Sequence, residues 1–351
     1  MINKIFTLCT LGLMLACSGP QTEMETEQVV VDFKAPEPTL KVERIIQLET
    51  NNEALFDQFY RVKIAGRNIL VQDQFKIVVY DLNGKYLSKV QKVGHGPQEY
   101  ITISNFWVFR DELYVVTNAK KSVLVYSLTG QYLRTIPLDF APEAIVVMEN
   151  YMAFKSAYNQ DGTLIVTDRE GRKKYETIAP ILAKTTVSIP AVFPFTESDG
   201  KVYYFPDFSS SIYTVGPDTS DVKQIKLDFG VHTITPEFIQ TLTAGTFMDE
   251  FEKHGIVSFP SFYPTRDWWG MVFSLGDTEY SWYYHAKNGR QCIVEAPGII
   301  SVKPIACATE DYFIEVAEAA EFLSSSRYAA YRQGLKVDEN DNPLLIFYSI
   351  Q

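Results

Sequence analysis

Ile77-Val78-Val79-Tyr80-Asp81-Leu82-Asn83-Gly84-Lys85 is a β-branched and aromatic run that ends in an Asn-Gly turn. Such residues fit a pleated, half-buried surface, and Asn-Gly supplies the positive φ angles that reverse a hairpin. The phrase returns. Leu124-Val125-Tyr126-Ser127-Leu128-Thr129-Gly130-Gln131 follows after 46 residues, glycine to glycine, and Leu164-Ile165-Val166-Thr167-Asp168-Arg169-Glu170-Gly171-Arg172 after another 41. Ile212-Tyr213-Thr214-Val215-Gly216-Pro217-Asp218 is the fourth copy, and Trp282-Tyr283-Tyr284-His285-Ala286-Lys287-Asn288-Gly289-Arg290 the fifth. Leu344-Leu345-Ile346-Phe347-Tyr348-Ser349-Ile350 is the sixth, and it stops at the last residue but one.

A further strand follows each turn, and two β-like runs precede each copy, such as 106–109 and 112–117 before the second. Each unit therefore has four strands, here a, b, c and d, at the spacing of propeller blades. The sixth unit lacks a strand d, while Val42-Glu43-Arg44-Ile45-Ile46-Gln47-Leu48 has no unit of its own. That strand is predicted to close the last blade and so remove an open sheet edge. The fold expected is all-β, a six-bladed β-propeller of four-stranded blades over residues 41–351. Two helical insertions interrupt it. Thr235-Pro236-Glu237 reads as an N-cap, a proline at the first helical position and an acid, opening a helix that runs to Gly255. Glu318 to Gln333 is the second, ended by Gly334.

Of the 351 residues, 46% are hydrophobic and 14% aromatic, which excludes a disordered chain apart from its ends. The formal charge of −11 argues against a nucleic-acid partner, because phosphate binding needs a basic face.

Ile5 to Ala16 is a largely apolar run after Lys4, too short for a membrane span and of the length of a secretory h-region. Leu13-Met14-Leu15-Ala16-Cys17 resembles a bacterial lipobox, with Met14 where leucine is commoner. Residues 1–16 are thus expected to be a lipoprotein signal peptide and Cys17 to carry the lipid. Residues 17–40 are acidic and proline-containing, and are expected to form a flexible tether to the fold. The membrane partner is then reached through the lipid alone. The location expected is the outer membrane or cell surface, outside the cytoplasm. Cys292 and Cys307 remain as either a disulfide or two buried thiols.

With the lipobox and six units, Val93-Gly94-His95-Gly96-Pro97-Gln98-Glu99-Tyr100 resembles the Gly-x-Gly-Pro-Gly-Glu-Tyr motif of the six-bladed β-propeller lipoproteins of Bacteroidetes. Gln98 stands where that family usually has glycine. Asp338-Glu339-Asn340-Asp341-Asn342-Pro343 before the last strand is also similar, and the glycine-rich linkers are similar to those of NHL-like propellers. The likeness spans roughly residues 40–351. It implies a fold and no activity, so function rests on sites.

Parity of the meander places the His95 loop and both helices on one face of the disc, opposite the tight c–d turns. The ligand-binding residues expected there are His95, Tyr263, Arg266, Trp268 and Trp269. The last four come from Phe259-Pro260-Ser261-Phe262-Tyr263-Pro264-Thr265-Arg266-Asp267-Trp268-Trp269, whose aromatics and arginine suit stacking on sugars or a peptide. The competing reading of that segment is core packing of the fifth inner strand. The four histidines have no metal-ligand spacing, no nucleophile elbow exists, and no catalytic residue is assigned. Asp73, Asp207 and Asp277 are carboxylates near b–c turns, and surface solvation is the plainer account of each.

The function expected is a lipid-anchored binding or scaffolding propeller recognising a glycan, peptide or partner protein. The alternative is a hydrolase or lyase acting on a polysaccharide or lactone at the channel mouth. No cofactor or metal is predicted, although a channel Ca²⁺ would accompany that alternative.

Overall fold

Ile77, Val78, Val79 and Tyr80 are all at most 1% exposed. Both faces of their strand are covered by neighbouring blades, which is why the sequence reads there as a continuous apolar run and does not alternate. The computed structural model describes residues 24–56, 61–156, 163–178, 193–243, 245–297 and 305–351. The expected signal peptide and Cys17 fall outside them.

Strands a to d of blade 1 are Arg61–Ala65, Asn68–Gln72, Ile77–Asp81 and Tyr86–Val90. Blade 2 has Asn105–Phe109, Glu112–Val116, Ser122–Ser127 and Tyr132–Pro137, and blade 3 has Pro142–Val147, Met152–Ser156, Thr163–Thr167 and Lys173–Ile178. Blade 4 has Phe195–Ser198, Lys201–Tyr204, Ser211–Val215 and Gln224–Asp228, and blade 5 has Ser258–Pro264, Trp268–Leu275, Thr278–His285 and Gln291–Pro297. Blade 6 has Cys307–Ala308, Phe313–Ala317 and Leu344–Ile350. The protein is a six-bladed β-propeller with antiparallel blades.

Strand β1 (Thr26–Val30) and strand β2 (Leu40–Gln47) precede the blades. β2 pairs antiparallel with Leu344–Ile350, from Leu40 opposite Ile350 to Gln47 opposite Leu344. It is the missing strand d of blade 6, as predicted.

The acidic tether is not flexible throughout. β1 lies parallel to strand d of blade 4, from Thr26 opposite Gln224 to Val30 opposite Asp228, and makes that sheet five-stranded. Val29 and Val31 turn inward and are buried. Phe33 sits edge-on to Phe273 and Tyr280, with centroids 5.9 and 5.7 Å away. Gln291 of blade 5 clamps the backbone from both sides, accepting from the Asp32 amide and donating to the Val30 carbonyl, each at 2.9 Å. The Ile293 amide donates to the Pro36 carbonyl at 3.1 Å. Residues 24–47 thus form a strap along the outer edges of blades 4, 5 and 6.

The c–d turns hold Gly84, Gly130, Gly171 and Gly289 at φ between +72° and +87°. Blade 4 departs from the repeat. There a 3₁₀ turn, Thr219–Asp221, makes the reversal, and the Asp221 carboxylate accepts from the Asp218 amide at 3.0 Å.

Both insertions are shorter helices than the sequence suggests. The first is α1 (Pro236–Thr241), capped by the Thr235 hydroxyl, followed by α2 (Phe247–His254), ended by Gly255 at φ +58°. Phe238, Ile239, Leu242 and Phe251 pack with Phe208 of blade 4. The second is α3 (Ala319–Ser324), which gives way to a 3₁₀ turn over Ser326–Tyr331. The a–b and c–d turns form the turn face of the disc. The b–c turns and d-to-a crossings, with all three helices, form the crossing face.

Candidate functional site

The five residues chosen from sequence are not brought together. His95 lies on the crossing face, between blades 1 and 2, whereas Tyr263, Arg266, Trp268 and Trp269 flank the a–b turn of blade 5 on the turn face. The expected convergence fails because the two prolines do not keep the segment irregular. Ser258–Pro264 is the inner strand itself, and the tryptophans open strand b.

None of the four offers an open stacking face. Trp269 is 8% exposed and packs on Tyr284 at 5.1 Å. Trp268 is capped by the Arg290 guanidinium at 4.8 Å and by the His285 ring at 4.9 Å. Arg266 pairs with Asp311 at 2.8 Å. Tyr263 is buried in the channel wall, and desolvation pushes its phenol above the ordinary value.

The His95 loop does cradle an anion, its own. Glu99 accepts from the Gly96 amide at 2.8 Å, and a Cβ on Gly94 would stand 2.0 Å from the same carboxylate oxygen. Lys120 donates to the Gly96 carbonyl at 2.9 Å and to that of Glu99. The glycines make room for a side chain of the linker.

The three carboxylates singled out from sequence separate likewise. Asp73 accepts from the Phe75 and Lys76 amides of its own turn, each at 2.8 Å. Asp277 is exposed. Asp207 pairs with Lys155, which is 3% exposed and also reaches Glu143 at 3.2 Å. Sequence reading missed Glu143 and Lys155, which stand in unremarkable strand contexts. Burial holds the Glu143 carboxyl above its usual range. The charges answer one another inside the fold, so the cluster serves packing between blades 3 and 4.

The channel itself is built by the inner strands. Arg61 and Lys63 of blade 1, Trp107 of blade 2, Glu197 of blade 4, Tyr263 of blade 5 and Cys307 of blade 6 line a throat of about 60 Å³. The Lys63 ammonium lies 3.3 Å from the centre of the Trp107 ring. Burial lowers the Lys63 pKa, with the Glu197 carboxylate opposing that shift. Arg61, stacked on Phe193 at 4.9 Å, is pulled down to about 10 by burial and still carries its charge near neutrality. Glu197 faces solvent at the throat's rim, yet protein on its other sides raises its carboxyl pKa, and Glu310 adds to the effect.

Above the throat, the turn face opens into a basin of about 890 Å³ that shares Lys63, Ile64, Glu197 and Ala308 with it. Arg110, Asp111 and Tyr312 form its rim. Arg110 and Asp111 take φ of +50° and +60°, the pair of positive angles that a two-residue hairpin turn uses, as Asp199 and Gly200 do in blade 4. Glu310 braces the opposite side. Its carboxylate accepts from the Asp199 amide at 2.9 Å and the Ser198 hydroxyl at 3.2 Å, and its carbonyl accepts from the Arg266 amide at 2.8 Å. That one residue joins the a–b turns of blades 4, 5 and 6. Among the described residues, no group of three or more His, Cys, Asp and Glu is placed to hold a metal ion. Cys292 and Cys307 are free, buried thiols.

Residues 40–349 match the model of a domain of unknown function, DUF4934. None of the curated proteins matches the chain. Among solved structures, it is similar to a Bacteroides fragilis protein named for its expected export, at 15% identity and a TM-score of 0.77, covering 93% of this chain and 99% of that one. A DUF4221 family member from Bacteroides vulgatus is also similar, at 10% identity and a TM-score of 0.56, covering 91% and 99%. At these identities the likeness is one of fold.

Proposed function

Because the chain belongs to the DUF4934 family, whose description gives no function, we propose its role from the site: a lipid-anchored, extracytoplasmic binding module whose basin holds a segment of a partner protein. The observation that carries this reading is the solvent-open basin on the channel axis, walled by residues of blades 1, 2, 4 and 6 and continuous with a narrow throat. Ligands are commonly held by loops at such mouths on a rigid frame.

A peptide segment suits this lining better than a sugar. Lys63 covers Trp107 and Arg169 covers Phe109 at 4.6 Å, so these two rings offer little to a pyranose. Charged groups from separate turns remain for side chains and backbone. The anchor is supported by Cys17 directly after the short apolar run. Among the described residues, no helix is long and apolar enough to cross a membrane.

The test is to screen residues 18–351 against peptide and glycan arrays, then repeat the hits with Tyr312→Ala and Glu197→Gln. Peptide binding weakened tenfold by either substitution is expected. Glycan hits without peptide hits, or peptide hits indifferent to both substitutions, would overturn the reading.

A further inference from the structure

The strap fixes where the chain joins the disc. β1 runs parallel to strand d of blade 4, which leaves the c–d turn, so Met24 and Glu25 lie beside that turn. Lys223 of the turn pairs with Glu25 at 2.7 Å. Glu25 and Glu27 share a cavity of about 600 Å³ with Met148 and Gly200, which sit in the a–b turns of blades 3 and 4. The strap therefore starts on the turn face, the face that carries the basin.

Seven links separate Cys17 from Met24, a reach of about 25 Å when fully extended. With the crossing face toward the bilayer, the chain would have to climb the inner-strand height of blade 5, seven residues or about 20 Å. It would then pass the layer of α1 and α2, another ~10 Å. That path exceeds the reach. With the turn face toward the bilayer seven links suffice.

Charge then selects the occupant. Glu43, Asp111, Glu197, Glu310 and Asp311 line the basin with Arg44, Lys63 and Arg110, Glu43 being paired with Lys41 and Asp311 with Arg266, and Glu25 and Glu27 stand at the strap beside Lys201 and Lys223. With a formal charge of −11, the chain as a whole repels anionic headgroups and attracts a basic polypeptide. Building on the binding role argued above, we infer that the strap turns the basin toward the bilayer holding Cys17, and that its occupant is a basic segment of a protein embedded in that bilayer.

Orientation is tested without any ligand. Lipidated protein labelled at Tyr312→Cys (native side chain 37% exposed) or Met248→Cys (50%) is placed on phosphatidylcholine vesicles carrying a headgroup-nitroxide lipid. Quenching at 312 should exceed that at 248 at least twofold, and a 20-residue Gly/Ser insertion after residue 20 should equalise them. Equal or reversed quenching with the native tether, or an unlipidated Cys17, overturns the inference.

The occupant is tested by a photo-cross-linking residue at 312 in intact cells. An adduct with an integral membrane protein is expected, reduced at least fivefold by Asp111→Asn with Glu197→Gln, and absent from position 248. Adducts only with soluble proteins, or unaffected by the neutral pair, overturn the occupant. Quenching as expected with no adduct at all also overturns the occupant and the binding role together, while leaving the orientation in place.

Discussion

Gly84 and Gln47 meet where the ring closes: a Cβ on Gly84 would stand 2.1 Å from the Gln47 carbonyl oxygen. The Glu49 amide donates to the Gly84 carbonyl at 2.8 Å across the same joint. Two other blades repeat it. Gly130 approaches the Lys89 carbonyl and Gly171 the Pro137 carbonyl, where a Cβ would meet oxygen at 3.0 and 2.4 Å. Each of these three c–d turns abuts the end of the preceding blade's outer strand. Glycine is needed there for its positive φ and also for room.

Gly84→Ala should therefore destabilise the protein by about 2 kcal/mol or more, since backbone must move as well as adopt a strained φ. Gly66, at φ +58° with nothing within 4 Å, supplies the control. Its alanine variant should cost only about 1 kcal/mol. Urea unfolding of the two variants compares them, and equal losses would remove the close-approach argument.

Deleting residues 41–50 should lower the stability of the whole disc in one transition. Ile46 and Leu48 are 3% and 0% exposed, and β2 supplies the outer ladder of blade 6. At about 1 kcal/mol net per hydrogen bond and about 2 kcal/mol per buried aliphatic side chain, several kcal/mol are lost. Unchanged thermal unfolding of the truncated protein would contradict the role of β2.

The repeat was legible because each blade writes its own strands and turn within some 45 residues. Closure was legible because strand d was missing from one end and present at the other. The strap was not, because Thr26 pairs with Gln224 and only Val29, Val31 and Phe33 carry the inward pattern. In an acidic stretch, three inward-facing apolar residues do not announce a strand. The basin was hidden for a related reason. Lys63, Asp111, Glu197 and Tyr312 are ordinary turn and strand residues, and only closure of the ring sets them around one axis. The aromatic segment misled in the other direction, since its unusual composition belongs to inner-strand packing.

Trp269→Ala should cost about 3–5 kcal/mol, as expected for an aromatic ring removed from a packed core. Trp268→Ala should cost less, because Trp268 is only half-buried and packs against the exposed Arg290 and the half-buried His285. Neither should alter affinity for a basin ligand. Calorimetric unfolding and ligand titration on the same samples check both statements, and a Trp268→Ala variant of native stability with tenfold weaker binding would restore the stacking role.

Phe33→Ala should loosen the strap before the disc. Its ring touches Phe229, His232, Phe273 and Tyr280 from two blades, and its loss should cost about 2–3 kcal/mol. Amide exchange at Val29–Val31 should rise first, with the blade 1 amides still protected. Uniform loss of protection would mean that the strap does not open separately from the ring.

Stability should also carry a pH signature from Glu315, which is 2% exposed, pairs with Arg327 at 2.7 Å and accepts from the Tyr328 hydroxyl. Desolvation outweighs both partners and raises its carboxyl above the ordinary 4.5. A raised folded value means the folded chain holds this proton more tightly than the unfolded one. The stability it contributes is then complete below pH 4.5 and is lost as pH rises through the folded value. Glu315→Gln keeps an acceptor for Tyr328 and Arg327 while removing the ionisation. Its Tm should match the native protein's near pH 4 and exceed it progressively toward neutrality, which thermal melts across that range would measure. A Tm difference independent of pH, or one that favours the native protein at pH 7, would mean that Arg327 outweighs the cost of burial.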